Sequence, residues 1–263
     1  METNALSELC NAVASLLNSS RRVLFITGAG VSADSGVPTY RGVGGLGCHA
    51  SDDPLFDIER ELDFEVMTLD PTRAWRTFHT MERESRDAAP NDAHARLSAF
   101  CRARPGAWTL TRNVDGLHRR ANTPNLIELN GNLRDLECIG CGWHESVVSF
   151  EGLEATPQCP SCGRVVRPRC SLVGEPPIEE AMLALERELK RGFDVVACVG
   201  ASSNASFVAD LLGETQARGT PTIEINPGES VVAHAAHMRL PVSPAVGIAS
   251  VFERMKTPPP HAA

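Results

Sequence analysis

Residues 21–36 read RRVLFITGAGVSADSG. An apolar run from Val23 to Ile26 passes into Gly28-Ala29-Gly30, and the small residues that follow can start a helix. A strand, a glycine turn and a helix start together make the arrangement in which main-chain N–H groups hold a pyrophosphate. Gly28-x-Gly30-x-x-Ala33 fits the relaxed dinucleotide fingerprint, which by itself also describes a plain tight turn. The acidic residue usual about 20 positions on, at the end of a second strand, is missing, because residues 43–53 are glycine-rich and poor in strand formers. A dinucleotide would therefore be held differently from an ordinary dehydrogenase cofactor.

Elsewhere, strand-like runs alternate with segments of helical period. WTLTRNVDGLH (108–118) is a strand that breaks at Asn113, NLIELNGNL (125–133) is another, and DVVACVG (194–200) and TPTIEINPG (220–228) follow. Between them lie helical patterns: Trp75, Phe78 and Met81 in residues 70–88, then NDAHARLSAFCRA (91–103), then a long helix around 178–191. Leu6, Leu9, Val13, Leu16 and Leu17 give the first twenty residues an amphipathic helical face. Strands alternating with helices indicate an α/β fold with a parallel sheet.

Four of the nine cysteines form two Cys-x-x-Cys pairs, Cys138 with Cys141 and Cys159 with Cys162, separated by 17 residues. Two such knuckles bring four thiolates round one zinc ion, and with all four positions filled by sulfur the zinc is expected to be structural. Cys10, Cys48, Cys101, Cys170 and Cys198 show no such pattern and read as core or surface thiols. A net charge of −8 gives no electrostatic case for nucleic-acid binding. Acidic Glu2 and Glu8 and the lack of a basic leader argue against a secretory signal, and no apolar run nears the ~20 residues needed to span a bilayer. The expectation is an intracellular protein, cytoplasmic or, in a eukaryote, nuclear.

GAGVSADSGVPTYRG (28–42), TRNVDGLH (111–118), the paired knuckles, VGEPP (173–177), VGASS (199–203) and EINP (224–227) stand in the order and spacing of a sirtuin. The chain resembles that family of NAD-dependent protein-lysine deacylases, and within it the bacterial and desuccinylase-type class. The resemblance implies a Rossmann-like NAD-binding domain of residues 1–42, 88–133 and 171–263. A smaller helical and zinc-ribbon domain of residues 43–87 and 134–170 would be inserted in it. Gly28, Ala29, Gly30 and Ser32 would line the pyrophosphate turn, and Tyr40 and Arg41 the loop over the nicotinamide half. Asn113 and Asp115 would stand by the nicotinamide ribose, and Gly200, Ser202 and Asn226 would serve the adenosine side. Val173, Gly174 and Glu175 would pair with the substrate backbone.

The family's general base is a histidine followed by glycine, at the end of the strand before the zinc module. Here that position is Asn130, which from its own neighbourhood reads as an Asn-Gly turn. The substitution reads as a change introduced to trap a complex, which the otherwise intact site favours, or as the mark of a natural, impaired member. Arg112 stands where the family has glutamine. The Tyr-x-x-Arg that reads acidic acyl groups corresponds to Phe78-x-x-Met81, which implies a preference for acetyl or other neutral groups. The expected function is NAD-dependent protein-lysine deacylation with release of nicotinamide, impaired at the base. The alternatives are a sirtuin-fold module that binds NAD or acyl-lysine without turnover, and an ADP-ribosyl transferase or NAD hydrolase.

Overall fold

The structure is a computed structural model that describes residues 2–39, 58–201, 206–228, 230 and 236–255. Strand β1 (Val23–Thr27) is buried along its whole length. It pairs in parallel with β2 (Ala107–Thr111) on one side and β7 (Val195–Val199) on the other. With β3 (Leu126–Glu128), β8 (Thr222–Ile225) and β9 (Met238–Leu240) they form a six-stranded parallel sheet in the order β3-β2-β1-β7-β8-β9. The chain thus moves outward from β1 on one side, then returns to start the other half at β7. The crevice at the C-terminal ends of β1 and β7, where the order reverses, is where ligands enter such sheets.

Both faces of the sheet are covered, which is why β1 and β7 are apolar without alternation. Val23 and Phe25 point into a cluster with Val13 and Leu17 of α1 (Glu2–Ser19), Leu97 and Phe100 of α6 (Asp92–Ala103) and Ile248 and Val251 of α10 (Pro244–Phe252). Leu24 and Ile26 point to the other face, against Leu185 of α8 (Glu179–Arg191) and Leu212 of α9 (Ser206–Ala217). Helix α6 starts sharply because Asn91 and His94 form a reciprocal capping box.

A second core lies outside this sheet. Helices α3 (Ile58–Glu61), α4 (Phe64–Leu69) and α5 (Pro71–Arg86) pack on a three-stranded antiparallel sheet of β5 (His144–Ser146), β4 (Gly131–Cys138) and β6 (Val166–Cys170). Trp75 is fully buried there and donates its indole N–H to the Val166 carbonyl at 2.8 Å. The second sheet begins at Gly131, three residues before the expected start of the zinc module at 134.

The four knuckle cysteines converge as their spacing implies. All four Sγ atoms lie within 4.8 Å of one another, with Cys138 to Cys162 at 3.5 Å and Cys141 to Cys159 at 3.6 Å. Thiolates about 2.3 Å from a tetrahedral zinc stand roughly 3.8 Å apart, so the group fits the ion. The two knuckles are built alike. Gly140 N–H points at Cys138 Sγ and Ser161 N–H at Cys159 Sγ, and each pair is followed by a glycine at positive φ, Gly142 (74°) and Gly163 (73°). Of the remaining thiols, Cys10, Cys101, Cys170 and Cys198 are free and buried, and Cys48 lies outside the described residues.

Helix α7 (Leu117–Arg120) carries His118, whose Nε2 meets Thr27 Oγ1 at 2.9 Å beneath the end of β1. Its ring lies 4.7 Å from that of His94. Burial, reinforced by His94, pushes His118 down to about 3 from an ordinary 6.5.

Two outcomes are expected. Metal analysis should find one zinc per chain, and Cys159→Ser or a strong chelator should remove it and lower the melting temperature, because metal binding is folding free energy in such a module. Metal-free protein of unchanged stability would exclude this. The second concerns acid. The unfolded chain takes up a proton at His118 below pH 6.5 that the folded chain refuses until about 3, so stability should fall as pH drops through that window. The slope from this one group is up to ~1.4 kcal/mol per pH unit. Urea unfolding from pH 7 to pH 4 should show a shallower fall in His118→Gln than in the wild type.

Candidate active site

The turn after β1 lies directly against the end of β7. Gly28 N–H donates to the Val199 carbonyl at 3.2 Å and Gly30 N–H to the Gly200 carbonyl at 2.9 Å. A Cβ on Gly28 would stand 2.6 Å from Ala201 Cα, and one on Gly30 2.9 Å from Gly200 Cα. These glycines are required by the approach of two backbones. Two N–H groups that the motif suggested for an anion are engaged inside the protein. Ala29 opens α2 (Ala29–Ala33), whose fourth residue is the buried Ser32.

Ser32 joins the segments that follow β1 and β2. Its hydroxyl donates to Asp115 Oδ2 at 2.6 Å and lies 2.9 Å from Asn113 Nδ2, which also donates to the Gly28 carbonyl at 2.9 Å. Asp115 Oδ1 accepts from Leu117 N–H at 2.8 Å, an Asx turn that starts α7. Asp115 is 9% exposed: its carboxylate is held from α2 and from α7 and still reaches the surface of a cavity. Ser32, Asn113 and Asp115 form one wall of that cavity, and Met81 of α5 and Leu133 of β4 contribute another.

Asn130 comes one residue after Leu129, whose N–H donates to the Thr111 carbonyl at 2.8 Å. Its carboxamide donates to the Arg112 carbonyl at 3.1 Å, beside Asn113, and its own carbonyl accepts from Ser171 N–H at 2.9 Å. The turn reading describes the backbone that follows. Gly131 has φ of +77°, and a Cβ there would lie 2.1 Å from the Arg169 carbonyl oxygen. Asn130 is thus adjacent to the polar cluster by way of the loop between β2 and α7.

The other expected site residues divide. Asn226, at the end of β8, points Nδ2 at the Ala201 carbonyl, 3.4 Å away, next to Gly200 (φ +58°). Phe78 is fully buried, edge-on to Trp75 at 5.7 Å, so it belongs to the core and only Met81 of that pair meets the cavity. Val173 has its N–H bonded to Leu62 and its C=O to Phe64, so that edge is already occupied, while its side chain is 46% exposed. Gly174 follows at φ +86°, and Glu175 is clamped by Arg167 at 2.9 and 3.1 Å. Tyr40, Arg41 and Ser202 lie outside the described residues.

Thr27, His118 and Arg134 support the site without having been singled out. Only His118 had a sequence signal, its position in TRNVDGLH. A larger cleft of about 360 Å³ runs along β3 and α8, but its Arg119 is paired with Glu128 and Asp135 and its Arg169 with Glu180. Among the described residues no helix is long and apolar enough to cross a membrane.

Residues 28–206 match the model of the Sir2 family. An NAD-dependent protein deacylase 2 from Pseudomonas aeruginosa is 38% identical over 232 residues, 87% of this chain and 90% of that protein. A solved Sir2 homologue in complex with NAD superposes with a TM-score of 0.83 at 29% identity, over 92% of this chain and 93% of that one. A Sir2 protein solved with a deacetylated p53 peptide and 3′-O-acetyl ADP-ribose gives a TM-score of 0.79 at 25% identity, over 92% and 98%. In sequence and in overall fold, the chain belongs to the Sir2 family.

Proposed function

We propose that the chain is an NAD-dependent protein-lysine deacylase whose turnover is limited at residue 130. The observation that carries this reading is the convergence of Ser32, Asn113 and Asp115 below the β1–β7 switch point, one strand from Asn130. Gly200 and Asn226 would take the adenosine side of NAD, and Ser32, Asn113 and Asp115 the nicotinamide ribose. Tyr40, Arg41 and Ser202 are carried as members of the same site on motif alone. When bound, NAD supplies an electrophilic ribose carbon to which the acyl group passes as nicotinamide leaves.

The chain's own residues position and dry this reaction. An amide oxygen is a weak nucleophile, so the acyl-lysine must be held in line and water kept out. Met81 and Leu133 give the cavity an apolar wall for that purpose. Val173 and Gly174 offer the exposed rim along which a substrate segment would lie. A ribose hydroxyl must later lose a proton, which suits imidazole near neutral pH. Asn130 can hold a hydroxyl by hydrogen bonding but cannot accept its proton. His118 is no substitute, being buried, bonded to Thr27 and held neutral.

The same residue favours a second reading, a Sir2-fold module that binds NAD and acyl-lysine with little turnover. Under either reading the partner is an acyl-lysine protein segment, and a net charge of −8 suits a basic one. A cytoplasmic location accords with both.

Asn130→His should raise acetyl-lysine turnover by about 10² to 10⁴, the usual contribution of a positioned general base. Equal rates in the two proteins would remove Asn130 from the base position. In the Asn130→His background, Met81→Arg should shift activity from acetyl-lysine toward succinyl-lysine, because a desolvated carboxylate needs a cationic partner. If Met81 already accompanies a succinyl preference, the acyl group does not enter along this wall.

A further inference from the structure

We propose that Arg134 is a positioning residue that braces the Asn113–Asp115 loop against α5, through the buried carboxylate of Glu82; the inference rests on the nucleotide-binding reading of that loop. The Arg134 side chain rises from β4 and is 11% exposed. Its Nη1 donates to the Asp115 main-chain carbonyl at 3.0 Å. Its Nη2 stands 3.5 Å from Glu82 Oε1 and 3.5 Å from the Ser85 carbonyl, both on α5. A guanidinium does this because its fixed fork aims two donors in different directions at once.

Glu82 makes the brace stiff. Its side chain is 0% exposed, and a carboxylate so buried needs charged partners. It has two, Arg134 from β4 and Arg86 one turn along α5, whose Nη2 and Nε approach at 2.6 and 3.1 Å. Met81 and Leu133 line the cavity, and their sequence neighbours Glu82 and Arg134 form the ion pair behind it. The wall facing the ligand and the brace behind it therefore come from the same two elements. Asp115 is held at its carboxylate by Ser32 and the Leu117 N–H, and at its carbonyl by Arg134. Without Arg134 the second attachment is lost, and Asp115 is free to tilt in its turn.

Hydrogen–deuterium exchange of the unliganded protein, with separate calorimetric titrations of NAD and an acetyl-lysine peptide, tests this in Arg134→Met, Arg134→Lys and Glu82→Gln. Exchange across residues 113–118 should quicken in both Arg134 variants while β1 stays protected. NAD binding should weaken about tenfold in Arg134→Met, the order of one hydrogen bond to a charged group, with peptide binding little changed. Arg134→Lys should recover part of the loss, since one ammonium can satisfy the carbonyl or the carboxylate but reaches both poorly. Unchanged exchange at 113–118 in a folded variant overturns the proposal. So does equal weakening of NAD and peptide, which marks a general structural loss. Where Arg134→Met does not fold, Glu82→Gln and Arg134→Lys give the same reading. A wild type that binds no NAD defeats the functional reading, while exchange still decides whether Arg134 braces the loop.

Discussion

The structure depends on one contact without side chains. Where β1 gives way to its turn, Gly28 and Gly30 lie against Gly200 and Ala201 so closely that no Cβ fits between them. That contact fixes how β1 and β7 end relative to each other, with Thr27 level with Val199. The loops after β1, β2, β7 and β8 then open at one level on one edge of the sheet. Any side chain at 28 or 30 would push the two halves of the sheet apart before it affected a ligand.

From that edge the polar cluster is assembled by satisfaction rather than by excess charge. Ser32, Asn113 and Asp115 are bonded to each other and to the Gly28 carbonyl. Such networks are rigid when complete and costly when broken. The second core plays a different part. Trp75 and Phe78 bind α5 to the cysteine-bearing sheet, and this combined body presents Met81 and Leu133 to the cluster. The cavity is therefore a meeting of two separately built cores.

The parallel sheet was readable because β1 and β7 are nearly continuous apolar runs that end in glycine turns, a pattern with few other solutions. The cysteine cluster was readable for the same reason, since two x-x pairs at this separation have one economical geometry. Periodicity gave Phe78 and Met81 one helix face but could not say which of them faces a cavity. That division depends on Trp75 and Phe150 filling the space beside them. Arg134 and Glu82 lie 52 residues apart, and no local pattern joins a guanidinium on one strand to a carboxylate on a distant helix. The glycine fingerprint was right about the turn, while its N–H groups serve the neighbouring strand as well as any ligand.

The cysteine-bearing sheet leaves the large sheet between Asn130 and Gly131 and returns between Cys170 and Ser171. The two crossings are side by side, with Gly131 opposite Cys170 and Ser171 N–H bonded to the Asn130 carbonyl at 2.9 Å. Two strands tied together at one place act as a pivot. A tilt of the attached body about it displaces the distant knuckles most and residue 130 least. Leu133, just beyond the pivot, is tied to the opposite wall as well, its N–H bonded to the Val114 carbonyl at 2.8 Å, so the two walls are coupled there. Residue 130 and the neck of the crevice are thus the part of the attached body that a tilt would displace least.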